Sequence, residues 1–245
     1  MLELRVIDTG LRNGRWQMAF TAALADGVGA GTSPDTLRFF AVAPSVLIGV
    51  SQGLAREVDI AHCEANAIDL VRRTTGGGAV YIDEGQVVWE LVLRRGNHTG
   101  ADLQQHTAGV CQGIAHRLAA AFGLDVAFRP PGDLIVGGVK IGGTGGMVEP
   151  SSVALHGTVV VTMDVAEAAR ALTPAKPFVP VTSLAALIGA APHRARVMTC
   201  VTQGIAAALD RAIFVGAPTD VELALADRLH AAEIGTDAFV LGSPV

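Results

Sequence analysis

An α+β fold, with a mixed and mainly antiparallel sheet flanked by helices, is what this sequence predicts. Three observations carry that prediction. Strand-like apolar runs recur at 36–42, 46–50, 67–71, 86–93, 126–128 and 152–161. Helical patterns stand between some of them, at 14–27, 59–66, 101–122 and 164–172, and two more close the chain at 194–212 and 219–233. Short turn signals join other strands, above all Gly137-Gly138, so neighbouring strands can pair antiparallel without a crossover.

Taken in order, Leu4–Asp8 reads as a short strand and the alanine-rich stretch 14–27 as a helix stopped by Gly27. Residues 36–42 and 46–50, with Pro44-Ser45 between them, read as a hairpin. A helix near 59–66 leads into the strand Ala67–Val71. Gln86–Leu93 is a strong strand. The clearest helix is 101–122, where Leu103, Val110, Cys111, Ile114 and Leu118 fall near one face and Gly123 ends it. Val126–Phe128 is a short strand, and Pro130-Pro131 delivers the chain rigidly into Gly132-Asp133. The glycine-rich stretch 142–146 reads as a flexible loop. Asp164 is a helix N-cap, and 173–180, with three prolines, is a loop.

Bulk properties exclude several function classes. A chain of 245 residues, 50% apolar and 17% charged, is globular and long enough for a sizeable core. The net charge is −5 and only Lys140 and Lys176 stand against sixteen arginines, which argues against nucleic acid as a partner. Cys63, Cys111 and Cys200 are widely spaced, odd in number and outside any CxxC pair, so neither a disulfide frame nor a zinc site is expected. No basic-then-apolar leader opens the chain, and no apolar run approaches the ~20 residues of a membrane helix. The expectation is a cytoplasmic protein with no membrane partner.

Two glycine-rich segments carry the chemistry. The first is Arg72-Arg73-Thr74-Thr75-Gly76-Gly77-Gly78-Ala79-Val80-Tyr81-Ile82-Asp83. Bare glycine amides can line up on an anion, and the two arginines supply forked cationic donors. Alone, such a run reads equally as a bulge or tight hairpin. The second is Gly132-Asp133 through Gly146, a hairpin turning at Gly137-Gly138 with Lys140 early in its second strand. In a chain that otherwise uses arginine, a retained ammonium points to close approach to a small anion or carbonyl. In Leu155-His156-Gly157-Thr158, a histidine and glycine in mid-strand suggest a place where a ligand approaches the backbone, with a packed strand histidine nearly as good a reading of these residues alone.

These three blocks together resemble the lipoate–protein ligase family, within the wider biotin/lipoate ligase and octanoyltransferase superfamily. Leu37-Arg38-Phe39-Phe40 with Val46–Gln52, the stretch Thr182-Ser183-Leu184 and the later tail fit as well, so the resemblance runs over about the whole chain. It implies a class II synthetase/biotin-ligase-like fold and one catalytic domain over 1–245, without the C-terminal accessory domain of larger relatives. It also implies ATP-dependent activation of lipoate or octanoate to acyl-AMP, then transfer to a lysine of an acceptor lipoyl-domain protein. That acceptor would be a 2-oxoacid dehydrogenase E2, a glycine cleavage H protein or a related lipoate-binding protein; a separate accessory subunit is a further possible partner.

By the same resemblance, Lys140 is catalytic. Arg72, Arg73, Gly76, Gly77, Gly78, Ala79, Val80 and Asp83 join it around ATP or the adenylate. Gly49, Val80, His156 and Gly157 border the acyl chain, and Asp133 holds Mg2+. The chain departs from the family pattern at Ile82, where a histidine is usual, and at Thr21 and Ala22, where an acidic pair is usual. The alternatives are an ATP-independent octanoyl or lipoyl transferase working through a cysteine thioester, and a non-catalytic binder of lipoyl proteins.

Overall fold

The computed structural model describes residues 2–97, 103–173 and 180–242. In chain order these form β1 (Glu3–Leu11), α1 (Gly14–Ala30), β2 (Thr36–Ala41), β3 (Ser45–Ile48), α2 (Leu54–Glu57), α3 (Ile60–Ala65) and β4 (Asp69–Arg72). Next come β5 (Val80–Ile82), β6 (Gln86–Arg94), α4 (Leu103–Phe122), β7 (Val126–Arg129), β8 (Asp133–Val136), β9 (Val139–Val148) and β10 (Ser152–Val160). The chain continues through α5 (Val165–Ala171), α6 (Leu184–Ile188), α7 (Arg194–Leu209), β11 (Ala212–Val215), α8 (Asp220–Leu229) and α9 (Asp237–Leu241).

Eight strands make the main sheet, in the order β11-β1-β2-β6-β10-β9-β8-β7. Only the β1 pairings, with β11 and β2, are parallel; the rest of that sheet is antiparallel. The expected α+β architecture is therefore the observed one. A second sheet of three strands, β4-β3-β5, sits beside it. This corrects the reading of 36–42 and 46–50 as a hairpin. β2 pairs with β1 and β6, whereas β3 pairs with β4 and β5, so the turn at Pro44 passes the chain from one sheet to the other.

Side chains alternate across the main sheet, as strand geometry requires. Val87, Trp89, Leu91 and Leu93 of β6 face α4 and α7, packing with Val110, Ile114, Leu118, Val197 and Val201. Val92 of the same strand packs on the other face with Phe20, Leu24 and Val28 of α1. Burial of a side chain of this size contributes about 1.5–3 kcal/mol, so these two layers fix which strand residues point toward α1. α1 is capped by the Asn13 carboxamide and runs past Gly27 to Ala30, where Gly31 takes the left-handed conformation with φ of 77°. Gly27 is an interior residue whose bare Cα faces Ser33.

Two further expectations change. The stretch 142–146 is no loop: β9 is paired through it with β10, from Gly142↔Val159 to Met147↔Ala154. Ala212, taken for the last residue of a helix over 194–212, opens the edge strand β11, because the helix stops at Leu209 and Asp210 turns left-handed. Residues 101 and 102 of the helix predicted at 101–122, and 174–179 of the proline-rich segment 173–180, Lys176 among them, lie outside the described residues.

Candidate functional site

The glycine loop joins β4 to β5. Its conformation is set by the two arginines that precede it. Arg73 donates from Nη1 to Leu47 O at 2.8 Å and from Nη2 to Gly76 O at 3.2 Å and Gly78 O at 2.9 Å. In a trans peptide the N–H points opposite to its carbonyl. Pulling Gly76 O and Gly78 O onto the guanidinium therefore turns the Gly77 and Ala79 amides away from it. Gly77 has φ of 106°, which only glycine adopts readily. Arg73 is buried, and that burial lowers its pKa to about 10.

Arg72 acts further back. It donates to Gln52 O at 2.7 Å, Val50 O at 3.0 Å, Phe239 O at 2.9 Å and Gly242 O at 2.9 Å. It ties the 49–52 turn to the C-terminal α9. The donors that the sequence reading aims at phosphate thus hold carbonyls, and of the two arginines only Arg73 also lines the cavity described next.

A cavity of about 210 Å³ opens between the loop and the main sheet. Gly77, Gly78, Ala79 and Val80 form one side; Lys140, Gly143, Thr144 and Gly145 of β9 form the opposite side. Phe40, Leu47, Ile82 and Val88 make an apolar end, and His156, Gly157 and Thr158 of β10 make a wall. The two glycine segments converge as expected. Gly76 O lies 3.1 Å from where a Cβ on Gly145 would stand.

Several β9 glycines are needed for contact rather than flexibility. A Cβ on Gly142 would fall 2.3 Å from Thr158 O, and one on Gly143 would fall 2.7 Å from Lys140 Nζ. The bare Gly143 makes room for the ammonium to lie along the strand.

Lys140 Nζ is 2.7 Å from Asp133 Oδ1, and Arg129 Nη2 is 2.8 Å from Asp133 Oδ2. Burial raises the pKa of Asp133, but hydrogen bonds from Lys140 and Arg129 outweigh it and hold the carboxyl below its usual range. These contacts bear on the Mg2+ expected at Asp133. Both carboxylate oxygens already meet cations, and among the described residues no group of three or more His, Cys, Asp or Glu converges on one point. A magnesium shared between Asp133 and substrate phosphates takes few protein ligands, and it would have to displace Lys140 or Arg129 from this carboxylate.

Two expected residues stand elsewhere. Asp83 accepts from the Gly85 amide at 2.7 Å in the turn between β5 and β6 and lines a separate surface hollow with Glu84, Thr162 and Asp164. Gly49 backs the loop without lining the cavity: a Cβ there would meet Gly77 O at 2.3 Å. Gly157 lies under the Trp89 indole, 2.1 Å from where its Cβ would be.

The structure also places groups that sequence reasoning missed. Register pairs Arg38 of β2 with Glu90 of β6, and Glu90 with His156 of β10. All three side chains point toward α1. Arg38 Nε donates to Glu90 Oε2 at 2.7 Å, and His156 Nε2 meets Glu90 Oε1. Gln17 and Thr21 of α1 take the remaining Arg38 donors, and Thr75 Oγ1 lies 3.3 Å from His156 Nδ1. Burial raises the pKa of Glu90, but the charges of Arg38 and His156 and the hydrogen bonds to it prevail and bring it to about 2. At the α1 position where the resemblance leads one to look for an acid stands Thr21; the carboxylate beside it comes from β6. A signal was present: Arg38 and Glu90 are lone opposite charges inside two apolar strands.

Cys111 Sγ is 3.3 Å from Thr144 Oγ1, just behind the cavity wall. Burial is the main cause that raises its pKa to about 11. Cys63 is likewise pushed up to about 11 and Cys200 upward, both chiefly by burial.

Among the described residues a mainly antiparallel sheet carries a glycine loop that faces a lysine across one cavity, and comparison with known proteins gives the family. The chain belongs to the lipoyl protein ligase A/B catalytic domain family, whose pattern matches residues 13–206. Lipoate–protein ligase 1 of Staphylococcus aureus is 29% identical over 140 residues, 56% of this chain and 41% of that relative. Octanoyltransferase LipM of Symbiobacterium thermophilum is 28% identical over 183 residues, 66% of each chain. The match to lipoate–protein ligase LplJ of Bacillus subtilis spans 36% of that protein, so this chain covers less than half the length of the first lipoate ligases it matches.

In fold it is similar to the bi-partite lipoate protein ligase of Thermoplasma acidophilum, with TM-score 0.88, 22% identity and coverage of 99% and 97% of the two chains. It is also similar to lipoate-protein ligase A bound with ATP, with TM-score 0.84, 24% identity and 98% coverage of both. The sequence relatives thus include both lipoate ligases and octanoyltransferases. No helix among the described residues is long and apolar enough to cross a membrane.

Proposed function

We propose that this chain is a lipoate–protein ligase catalytic domain. It activates lipoate or octanoate with ATP and passes the acyl group to a lysine of an acceptor lipoyl domain. The observation that carries this reading is the convergence of loop residues 77–80 and Lys140 on one cavity that also has an apolar end. A fatty or lipoic acid fits with its chain among Phe40, Leu47, Ile82 and Val88 and its carboxylate between the loop and Lys140.

In the first step a carboxylate oxygen attacks the α-phosphorus and pyrophosphate leaves. Attack of one anion on another needs positioning and charge neutralisation more than acid–base chemistry. Lys140 supplies a mobile cation, presented by Asp133, and Arg73 supplies a fixed one. In the second step the acceptor amine attacks the acyl carbon, loses a proton, and AMP departs. Lys140 neutralises charge on both.

The octanoyltransferase reading draws on the matching octanoyltransferases and on Cys111 behind Thr144. A thioester needs a thiolate that reaches the substrate, whereas all three cysteines here are buried with raised pKa values. That favours the ligase. We also take residues 1–245 to supply one catalytic domain, and the fold similarity to a bi-partite ligase makes a separate accessory polypeptide a partner to test.

Pyrophosphate release with lipoate or octanoate and ATP, with and without such a polypeptide, tests the ligase reading. A stable cysteine adduct seen by mass spectrometry after incubation with octanoyl-acyl carrier protein would replace it with the transferase. Silence in both assays would leave a binder of lipoyl proteins.

A further inference from the structure

The row Arg38–Glu90–His156 lies on the α1 side of three adjacent strands and ends at the cavity. A buried ion pair of this kind adds little net stability, because taking both charges out of water offsets their attraction. Apolar residues would fill the same space. Its placement, with His156 in the cavity wall and Thr75 one residue before the glycine loop, calls for another reason.

The hydrogen bonds fix a direction. Glu90 is ionised and can only accept. Its Oε2 takes Arg38 Nε, so its Oε1 takes a proton carried on His156 Nε2. Thr75 Oγ1 meets the opposite ring nitrogen, Nδ1, at 3.3 Å, so the ring is gripped between Glu90 and Thr75; the hydroxyl donates to a neutral ring and accepts from a doubly protonated one. Thr75 is fully buried, and its carbonyl accepts from the Val50 amide at 3.1 Å. The residue after it is Gly76, whose carbonyl is held by Arg73. The His156 ring also stands edge-on to Phe40, 6.3 Å between centroids, so its orientation shapes the apolar end of the cavity.

We propose that Arg38, Glu90 and Thr75 are positioning residues: they keep a proton on His156 Nε2 facing Glu90, fix the orientation of the ring and, through Thr75, seat the glycine loop against the acyl cavity. This rests on the acyl-activation reading. None of the three lines the cavity, so they act on the acid through His156 and the loop.

Thr75→Val removes the hydroxyl with little change of shape and leaves the Arg38–Glu90 pair intact. It raises the KM for octanoate about tenfold with kcat nearly unchanged and melting temperature preserved, and Thr75→Ser restores the KM. An imidazole ¹⁵N spectrum, assigned with His156→Gln, shows His156 protonated on Nε2 in the parent protein. A Thr75→Val variant with parental KM, or a His156 protonated on Nδ1 alone, overturns the proposal. If the parent releases no pyrophosphate with any acid, the acyl-activation reading fails by itself. Calorimetric octanoate binding and the ¹⁵N spectrum then still decide the relay: weaker binding in Thr75→Val with the Nε2 tautomer supports it, and unchanged binding or the other tautomer overturns it.

Discussion

The two glycine-rich segments look alike in sequence and do opposite things. Gly76–Gly78 is a loop whose carbonyls are turned by Arg73 and whose Gly77 takes a positive φ. Gly142–Gly146 is regular strand, paired with β10 throughout, and its glycines clear space for Thr158 O, for the Lys140 side chain and for Leu155. A run of glycine marks a place where something comes close to the backbone. Whether that something is a ligand, a lysine or a neighbouring strand depends on what the fold brings there.

The largest effect that sharpens the contrast belongs to Lys140, which shares the cavity with the first segment. Lys140→Ala lowers acyl-adenylate formation about a hundredfold or more, corresponding to ~3–4 kcal/mol for a lost preorganised donor, while circular dichroism stays native. Parental rates in that variant would remove Lys140 from the chemistry.

Next comes Glu90→Gln. It leaves Arg38 buried without its carboxylate, and breaking such a pair costs about 3–5 kcal/mol; denaturant unfolding measures it. An unchanged unfolding midpoint would show that the pair is not formed. The same pair sets an acid limb. The folded pKa of Glu90, about 2, lies below its ordinary 4.5. Its contribution is therefore complete above pH 4.5 and is lost as pH falls toward 2. A melting temperature independent of pH in that window, in a variant lacking other acid-sensitive pairs such as Asp133–Lys140, would contradict this.

Smaller effects separate strand glycine from loop glycine. Gly142→Ala places a methyl against Thr158 O and destabilises by about 1–3 kcal/mol, the usual range for overpacking. Gly78→Ala meets nothing within 4 Å and has no positive φ, so thermal unfolding stays within ~0.5 kcal/mol of the parent. If Gly78→Ala proves the more damaging to stability, the assignment of loop and strand is reversed.

Legibility followed the range of the interactions. Lys140, Gly77, Gly78 and His156 were readable because each sits in a short segment with a local signature, and the structure puts them around one cavity. Arg72 and Arg73 were readable as important but not as loop-builders, since most of their partners are distant carbonyls, those of Leu47, Gly49, Val50, Gln52, Phe239 and Gly242. Asp83 belongs to the motif yet faces another hollow, because β5 ends and turns just before it. The β2–β3 hairpin was misread, since adjacency in sequence does not reveal a change of sheet at Pro44.

By itself the sequence determined the α+β class, the Gly137-Gly138 turn that aims Lys140, and the family, all of which rest on patterns spanning a few residues. Only tertiary structure decided that Arg38, Glu90 and His156 form one row, because that depends on the register of three strands more than fifty residues apart. It also decided which glycines bend and which pair: a residue without a side chain takes its role from its neighbours in space.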